Sequence, residues 1–352
     1  MNVLIDGIVY SLQASGGVSV YFSELIRFLA RQPTVRLDVG LFRPCIAQGI
    51  DDIRSAPWTR HQASRWQERY RACQLTAPAD VFHSTYYRRP ADARVPTVVT
   101  VHDFYYERFR QGLAKWVHSR QKFSAIRAAQ AIVCVSQATA DDLQTFVGLR
   151  PGQTLQVIPN GVGAAFVPLP GAAHDPQQLL FVGGRGGYKN FALVLQALRQ
   201  LPAHQLVCVG GGPLRAEEFA GVPASVRARV RHLAYVSDDT LASLYQHSLA
   251  LLYPSSFEGF GIPVAEAMKC GCPVIGLRAC AAVREVAGDA LMGLDGEDPA
   301  LLAAAVEALM EPATRAKITR LGLEQAAPLN WRATHERTLQ VYQSLLEHTA
   351  SA

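Results

Sequence analysis

The feature that most constrains this chain is an alternation running along its whole length. Short apolar runs of strand length are each followed by a stretch with helical spacing. NVLIDG precedes VSVYFSELIRFLARQ, in which Val20, Leu25, Ile26 and Leu29 recur at helical intervals. Further strands are predicted at RLDVGLF, DVFHST, TVVTVHD, AIVCVS and TLQVIPN. The pattern pauses in 159–178, PNGVGAAFVPLPGAAHDPQQ, where Pro and Gly accumulate without periodicity. It then restarts with LLFVGG, NFALVLQALRQL, HQLVCVGGG, PLRAEEF, RVRHLAYV, DDTLASLYQHS, LALLYPS, VAEAMKCG and PVIGL. Strands alternating with helices predict parallel sheets with crossover helices. A chain of 352 residues has room for two such domains at roughly 100–200 residues each. The expected fold is α/β, with two Rossmann-like doubly wound domains facing a cleft. They would span 1–165 and 179–330, with a linker at 166–178. WRATHERTLQVYQSLLEHTA, within 331–352, is expected to form one terminal helix.

Composition removes other classes. Hydrophobic residues make up 49% and charged residues 18%, ordinary globular usage. No apolar run approaches the ~20 residues that cross a bilayer, and MNVLIDGIVYSL has neither a basic leader nor a cleavage site. A soluble, cytoplasmic protein is expected. The seven cysteines include no C-x-x-C pair and sit in apolar strings such as AIVCVS, as small hydrophobes would. Charge is uneven: 1–170 carries 19 basic and 12 acidic residues, 171–352 carries 15 and 17. Within 54–127 the balance is 14 to 5, with Arg60, Arg65, Trp66, Arg69, Arg71, Arg108, Arg110, Lys115, Trp116, Arg120, Lys122 and Arg127 interleaving cations and aromatics. Such a segment is a solvated face, or it meets an anionic membrane or a phosphate-bearing acceptor. No nucleic-acid motif accompanies it.

In doubly wound sheets ligands bind beyond the carboxyl ends of strands, so the turns there matter most. The first, Ser15-Gly16-Gly17-Val18, lacks the G-x-G-x-x-G fingerprint but allows close backbone approach. His102-Asp103 follows TVVTV, where an imidazole could bond a hydroxyl or phosphate. FVGGRGGYKN places Arg185 and Lys189 among four glycines before a helix, a setting suited to pyrophosphate. In YPSSFEGFGIPVAEAMKCGCPVIG, Glu258 occupies a Gly-rich turn and Glu266 lies eight residues on. Pro263 suits a first helical position, placing Glu266 in the first turn, and Gly271 suits a helix stop. Asp-x-Asp is absent from the chain, so no metal-bridged diphosphate is expected, and neutralisation falls to Arg185 and Lys189.

EGFGIPVAE resembles the E-x7-E motif of the retaining GT-B glycosyltransferases of family 4. GGVSVYFSELI, HDFYYERF, VCVSQATADDL, VIPNGV, GGRGGYKN and REVAGDALMGLDGEDP resemble, in order, other segments of that family. The resemblance implies that Arg185 and Lys189 hold the donor diphosphate, Glu258 the donor sugar and Glu266 the ribose. It implies that Gly17 and the amides of Gly259, Phe260, Gly261 and Ile262 line the nucleotide sugar, that Val236 lies where the base is met, and that His102 faces the sugar near its anomeric carbon. Ala281-Ala282-Val283-Arg284-Glu285-Val286 departs from the family's S-S-L-P-E-V, and Gly186-Gly187 loosens the phosphate loop. The version here is most similar to bacterial mannosyl- and rhamnosyl-type transferases of surface polysaccharides. The implied donor is GDP-mannose, with no metal, and the implied acceptor a glycan or lipid-diphosphate-linked glycan at the inner face of the plasma membrane. A UDP-sugar-dependent transferase, a nucleotide-sugar epimerase or glycan phosphorylase, and a non-catalytic partner subunit are the alternatives. No lysine suits the phosphorylase's pyridoxal phosphate, and the retained His102, Arg185, Lys189, Glu258 and Glu266 oppose the last.

Overall fold

The computed structural model describes residues 1–14, 16–43, 45–47, 58–74, 77–169, 171 and 174–350. Two units form: Met1–Asn160 with Trp331–Ala352, and Gly161–Asn330. In the first, β1 (Asn2–Ile5), β2 (Arg36–Arg43), β3 (Trp58–Ser64), β4 (Val81–Ser84), β5 (Thr97–Val101), β6 (Ala131–Cys134) and β7 (Thr154–Val157) pair in the order β3-β2-β1-β4-β5-β6-β7. In the second, β8 (Asp175–Val182), β9 (Gln205–Val209), β10 (Val230–Leu233), β11 (Ser248–Tyr253), β12 (Val274–Leu277) and β13 (Leu291–Leu294) pair as β10-β9-β8-β11-β12-β13. Every pairing is parallel. Both sheets therefore share the Rossmann order, whose direction reverses between the first and fourth strands of each unit.

The strands are apolar runs because helices cover both faces. β4, β5, β6, β11 and β12 are buried at every residue. Helix Gly17–Leu29 buries Tyr21, Phe22, Leu25, Ile26 and Leu29, whereas Val20, expected on that face, is 45% exposed. Helix Trp331–Ala350 matches the expected terminal helix, and it packs in the first unit. Its Trp331, Val341, Tyr342 and Leu345 share a core with Val3, Ile5 and helix Gly17–Leu29. All seven cysteines are free thiols, six of them buried.

Some elements differ from expectation. PLRAEEF forms only a 3-10 turn, Ala216–Phe219. β8 begins at Asp175, inside the expected linker; its polar first residues are exposed, so composition alone hid them. β3, β13 and helices Gly112–Ala128, Pro299–Ala308 and Pro312–Ala326 carry signals that sequence reading passed over. The basic 54–127 segment divides. Residues 54–57 and the side chains of Arg60, Arg65 and Trp66 lie outside the described residues. Lys122 is fully buried, Arg108 is paired with Asp142, and Arg69 bonds the Tyr86 hydroxyl at 3.2 Å.

Candidate active site

β8 and β11 flank the switch point of the second sheet, where loops diverge and open a crevice. Lys189 arrives on the loop after β8 and Glu258 on the loop after β11. Lys189 Nζ donates to Glu258 Oε1 and, at 3.2 Å, to the Tyr253 hydroxyl. The two charged side chains are 13% and 11% exposed, so the pair is largely dehydrated. Tyr253 and Tyr188 flank the ammonium, with ring centroids at 5.0 and 5.1 Å. Burial and the Glu258 carboxylate push the Tyr253 phenol well above its usual range, which keeps it a hydrogen-bond donor. The loops are tied together: Ser256 N–H donates to Tyr188 O at 2.8 Å, and Asn190 Nδ2 donates to Pro254 O at 3.0 Å. Beyond Glu258, buried Phe260 anchors the turn, and Gly261 enters the left-handed region at φ 96° to cap helix Ile262–Lys269. Gly259 lies between Glu258 and Phe260, and Ile262 is the first helical residue.

Arg185, expected to offer its charge to a diphosphate, has a guanidinium that is buried and hydrogen-bonded within the fold. Nε donates to Glu218 Oε1 at 2.9 Å, Nη1 to Gly210 O at 2.8 Å, and Nη2 to Gly212 O and Pro213 O at 2.8 and 2.9 Å. The reason is the loop after β9: Gly210, Gly211 and Gly212 are all left-handed, which turns their carbonyls inward onto the guanidinium fork. Arg185 straps that loop to Glu218.

Glu266 also moves. Ile262 is the first helical residue and Pro263 the second, so Glu266 lies in the second turn and is no first-turn acid against the helix dipole. Gly271 follows the helix at φ 75°, as expected of its stop. Tyr245, itself buried, donates to Glu266 Oε2 at 3.0 Å. Burial, with a smaller push from Asp238, raises the Glu266 carboxyl to about 7. Val236 is half-buried between β10 and helix Asp238–His247, whose cap is Ser237, accepting from Thr240 N–H at 3.3 Å.

In the first unit, His102 follows β5. Its Nε2 is enclosed and has no hydrogen-bond partner among the described residues. Burial, and then the Lys122 charge, push this imidazole down to about 3, so it is neutral near pH 7 and carries one donor and one acceptor. The Tyr21 ring meets it edge-on at 5.2 Å. Lys122 lies behind the turn: it donates to Asp103 O and, at 3.1 Å, to Glu107 Oε2, with the Phe104 ring centroid 3.6 Å away. Sequence reading counted Lys122 as surface charge. The missed signal was its spacing with His118, Ala125 and Ile126, one buried helical face. Gly17 opens helix Gly17–Leu29 after the Gly16 cap; Ser15 lies outside the described residues.

Residues 169–323 match the sequence family described as glycosyl transferases group 1, and residues 15–166 match Glycosyltransferase Family 4. The chain belongs to the group 1 glycosyltransferases. O-antigen chain mannosyltransferase B of Escherichia coli is 32% identical to this glycosyltransferase over 180 residues, 47% of this chain. The match spans only 45% of that relative's length. D-inositol 3-phosphate glycosyltransferase of Acidothermus cellulolyticus is 26% identical across 96% of this chain and 88% of that protein. Sucrose-phosphate synthase from Thermosynechococcus elongatus shares the fold with a TM-score of 0.79, covering 99% of both chains at 20% identity. This glycosyltransferase thus has the GT-B fold implied by its motifs.

Proposed function

We propose that this glycosyltransferase moves a hexose, with retention at the anomeric carbon, from GDP-mannose to a glycan or lipid-diphosphate-linked acceptor of surface polysaccharide synthesis. The observation that carries the reading is the Lys189–Glu258 pair at the switch point, beside the amino terminus of helix Ile262–Lys269. A cation and a helix amino terminus suit a departing diphosphate, and a neighbouring carboxylate suits sugar hydroxyls. The likeness to O-antigen chain mannosyltransferase B supports mannose as the transferred sugar.

In this reading Lys189 takes charge from the leaving diphosphate, and Glu258 accepts hydrogen bonds from the sugar. Glu266, one oxygen held by Tyr245, accepts from the ribose. Gly259, Phe260, Gly261 and Ile262 line the donor, and Val236 lies beside the base. In the first unit, His102 offers a neutral hydrogen bond to a substrate hydroxyl and Gly17 a close backbone approach. The bond from the anomeric carbon to the diphosphate oxygen breaks with its electron pair going to the diphosphate. The acceptor oxygen bonds to the same face of the sugar, and its proton passes to the diphosphate. The missing Asp-x-Asp motif supports a reaction without metal, with excess chelator leaving the rate unchanged. Such an acceptor is met at the cytoplasmic face of a membrane; among the described residues no helix is long and apolar enough to cross one.

The test is a screen of GDP-mannose, GDP-rhamnose, UDP-glucose, UDP-galactose and UDP-N-acetylglucosamine for thermal stabilisation and slow hydrolysis. GDP-mannose should dominate both; stabilisation by a UDP sugar alone would replace the donor. A second reading has one observation in its favour. The alignment with D-inositol 3-phosphate glycosyltransferase spans nearly the whole chain, which supports a phosphorylated polyol as acceptor. Transfer to inositol phosphate in place of a lipid-linked glycan would select it.

A further inference from the structure

We propose that Lys122, together with Glu107, is a positioning residue of this glycosyltransferase: it holds the turn after β5 so that the His102 imidazole meets the substrate. The proposal rests on the reading in which His102 bonds a substrate hydroxyl, and every residue in it belongs to the first unit. Lys122 stands on helix Gly112–Ala128, on a face shared with buried His118, Ala125 and Ile126. Its side chain is 0% exposed, and a dehydrated ammonium is costly unless it is paired and hydrogen-bonded. The fold meets that requirement with two oxygens and two rings. Nζ donates to Asp103 O and, at 3.1 Å, to Glu107 Oε2, while the ring centroids of Phe104 and Tyr87 lie at 3.6 and 5.6 Å. Well-packed apolar side chains usually serve a core as well as a buried ion pair does, so the placement of this pair is what points to function.

The contacts converge on the few residues that carry His102. Asp103 follows it directly, and Glu107 lies on the short helix Tyr105–Phe109 into which the turn leads. One ammonium therefore joins the turn to the helix after it. Phe104 caps that helix without a side-chain bond, and the Asp103 carboxylate is engaged locally, accepting from Tyr105 N–H at 3.0 Å. Tyr87, whose phenol is hydrogen-bonded to the His102 backbone, sits at φ 54°, a strained setting for a bulky residue that persists only where neighbours over-determine it. The imidazole lacks the carboxylate partner that commonly orients a working histidine. Its enclosed Nε2 has no hydrogen-bond partner among the described residues, and the Tyr21 and Phe22 rings flank it at 5.2 and 6.2 Å. Where the imidazole points is then decided by the main chain that carries it, and Lys122 fixes that main chain from behind. Burial, and after it the Lys122 charge, keep the ring neutral, so that it presents one donor and one acceptor.

The test uses Lys122→Met/Glu107→Gln, which removes both charges together so that neither is left buried alone; the glutamine keeps an acceptor for Ser119. The full chain is prepared with isotope-labelled histidine, and the His102 ring resonance is assigned by its loss in His102→Ala. In the double variant that resonance is expected to shift or split, while those of His83 and His335, buried against the terminal helix, stay in place. Turnover of GDP-mannose, read as GDP release, should fall by roughly ten- to a hundredfold, the scale of a small misplacement in a site, with KM for GDP-mannose little changed. If another nucleotide sugar proves to be the donor, the same ratios are read with it. In the His102→Ala background the two substitutions should alter turnover by no more than about twofold, since a residue acting through His102 has nothing left to act on. An unmoved His102 resonance would overturn the proposal, as would losses that add fully to those of His102→Ala. Displacement of all three histidine resonances with a lowered melting temperature would also overturn it, by showing a role in the core alone. A shifted His102 resonance, with turnover untouched in both the double variant and His102→Ala, would instead leave Lys122 as the holder of the turn and remove the reading of His102 as a substrate contact.

Discussion

Lys189 and Glu258 hold each other in a dehydrated pair, so removing either leaves the other's charge uncompensated. Lys189→Met and Glu258→Gln should each lower turnover by roughly 10²–10³, the scale of one preorganised charge partner. Because the groups touch, the double variant should lose little more than the worse single one; fully additive losses in kcat would show that they act independently. Glu266 makes a different prediction. Its folded carboxyl keeps a proton up to about pH 7, whereas the unfolded one releases it near 4.5. The stability this group contributes is present below about pH 4.5 and is lost as pH rises through about 7. Glu266→Gln, neutral throughout, should flatten the decline of melting temperature across that window. An unchanged decline in the variant would assign it to another group. The positions of both glutamates in the EGFGIPVAE segment were legible in sequence. The partners Tyr253 and Tyr245 were not, because each lies on a different element.

At the scale of elements, local signals worked where neighbours within a few residues decide the outcome. Gly271 marked the end of helix Ile262–Lys269 and follows it in the structure, whereas Pro263 stands second, one residue past the start it was expected to mark. Helix Gly112–Ala128 escaped notice because its cations face solvent while a lysine occupies its buried face. In the glycine loop of the second unit, expected to present Arg185 and Lys189 to a diphosphate, Arg185 is drawn inward. Gly211 shows why: a Cβ there would lie 2.7 Å from Gly183 O, so β8 and β9 bring two glycine turns into contact, with Arg185 as the strap. Arg185→Ala should therefore destabilise the protein by about 3–5 kcal/mol, the scale of a buried pair broken on one side. Arg185→Lys should recover little, since an ammonium cannot fork to several carbonyls. Denaturant unfolding of the full chain measures both; an Arg185→Ala variant as stable as the parent would return the residue to ligand binding.

At the scale of the whole molecule, the chain leaves its first unit after Asn160 and comes back to it at Trp331. Tyr342 is wholly buried there, with its hydroxyl 2.5 Å from His83 Nδ1. Truncation after Asn330 should unfold the first unit and leave the second intact, seen calorimetrically as the loss of one transition; an unaltered melting profile would refute this. What the sequence by itself determined was the class of fold, most of the strands, the terminal helix and the glycine-bearing turns after β8 and β11. Those depend on hydrophobic period and on Gly and Pro at fixed offsets, properties that a few neighbouring residues settle. Only the tertiary structure decided that Lys189 pairs with Glu258 and Arg185 with Glu218, that Glu266 is held by Tyr245 and raised, and that Lys122 lies behind His102. Lys189 and Glu258 stand 69 residues apart in the chain. They meet because β8 pairs with β11, a choice made by non-local burial and strand pairing that no local pattern encodes.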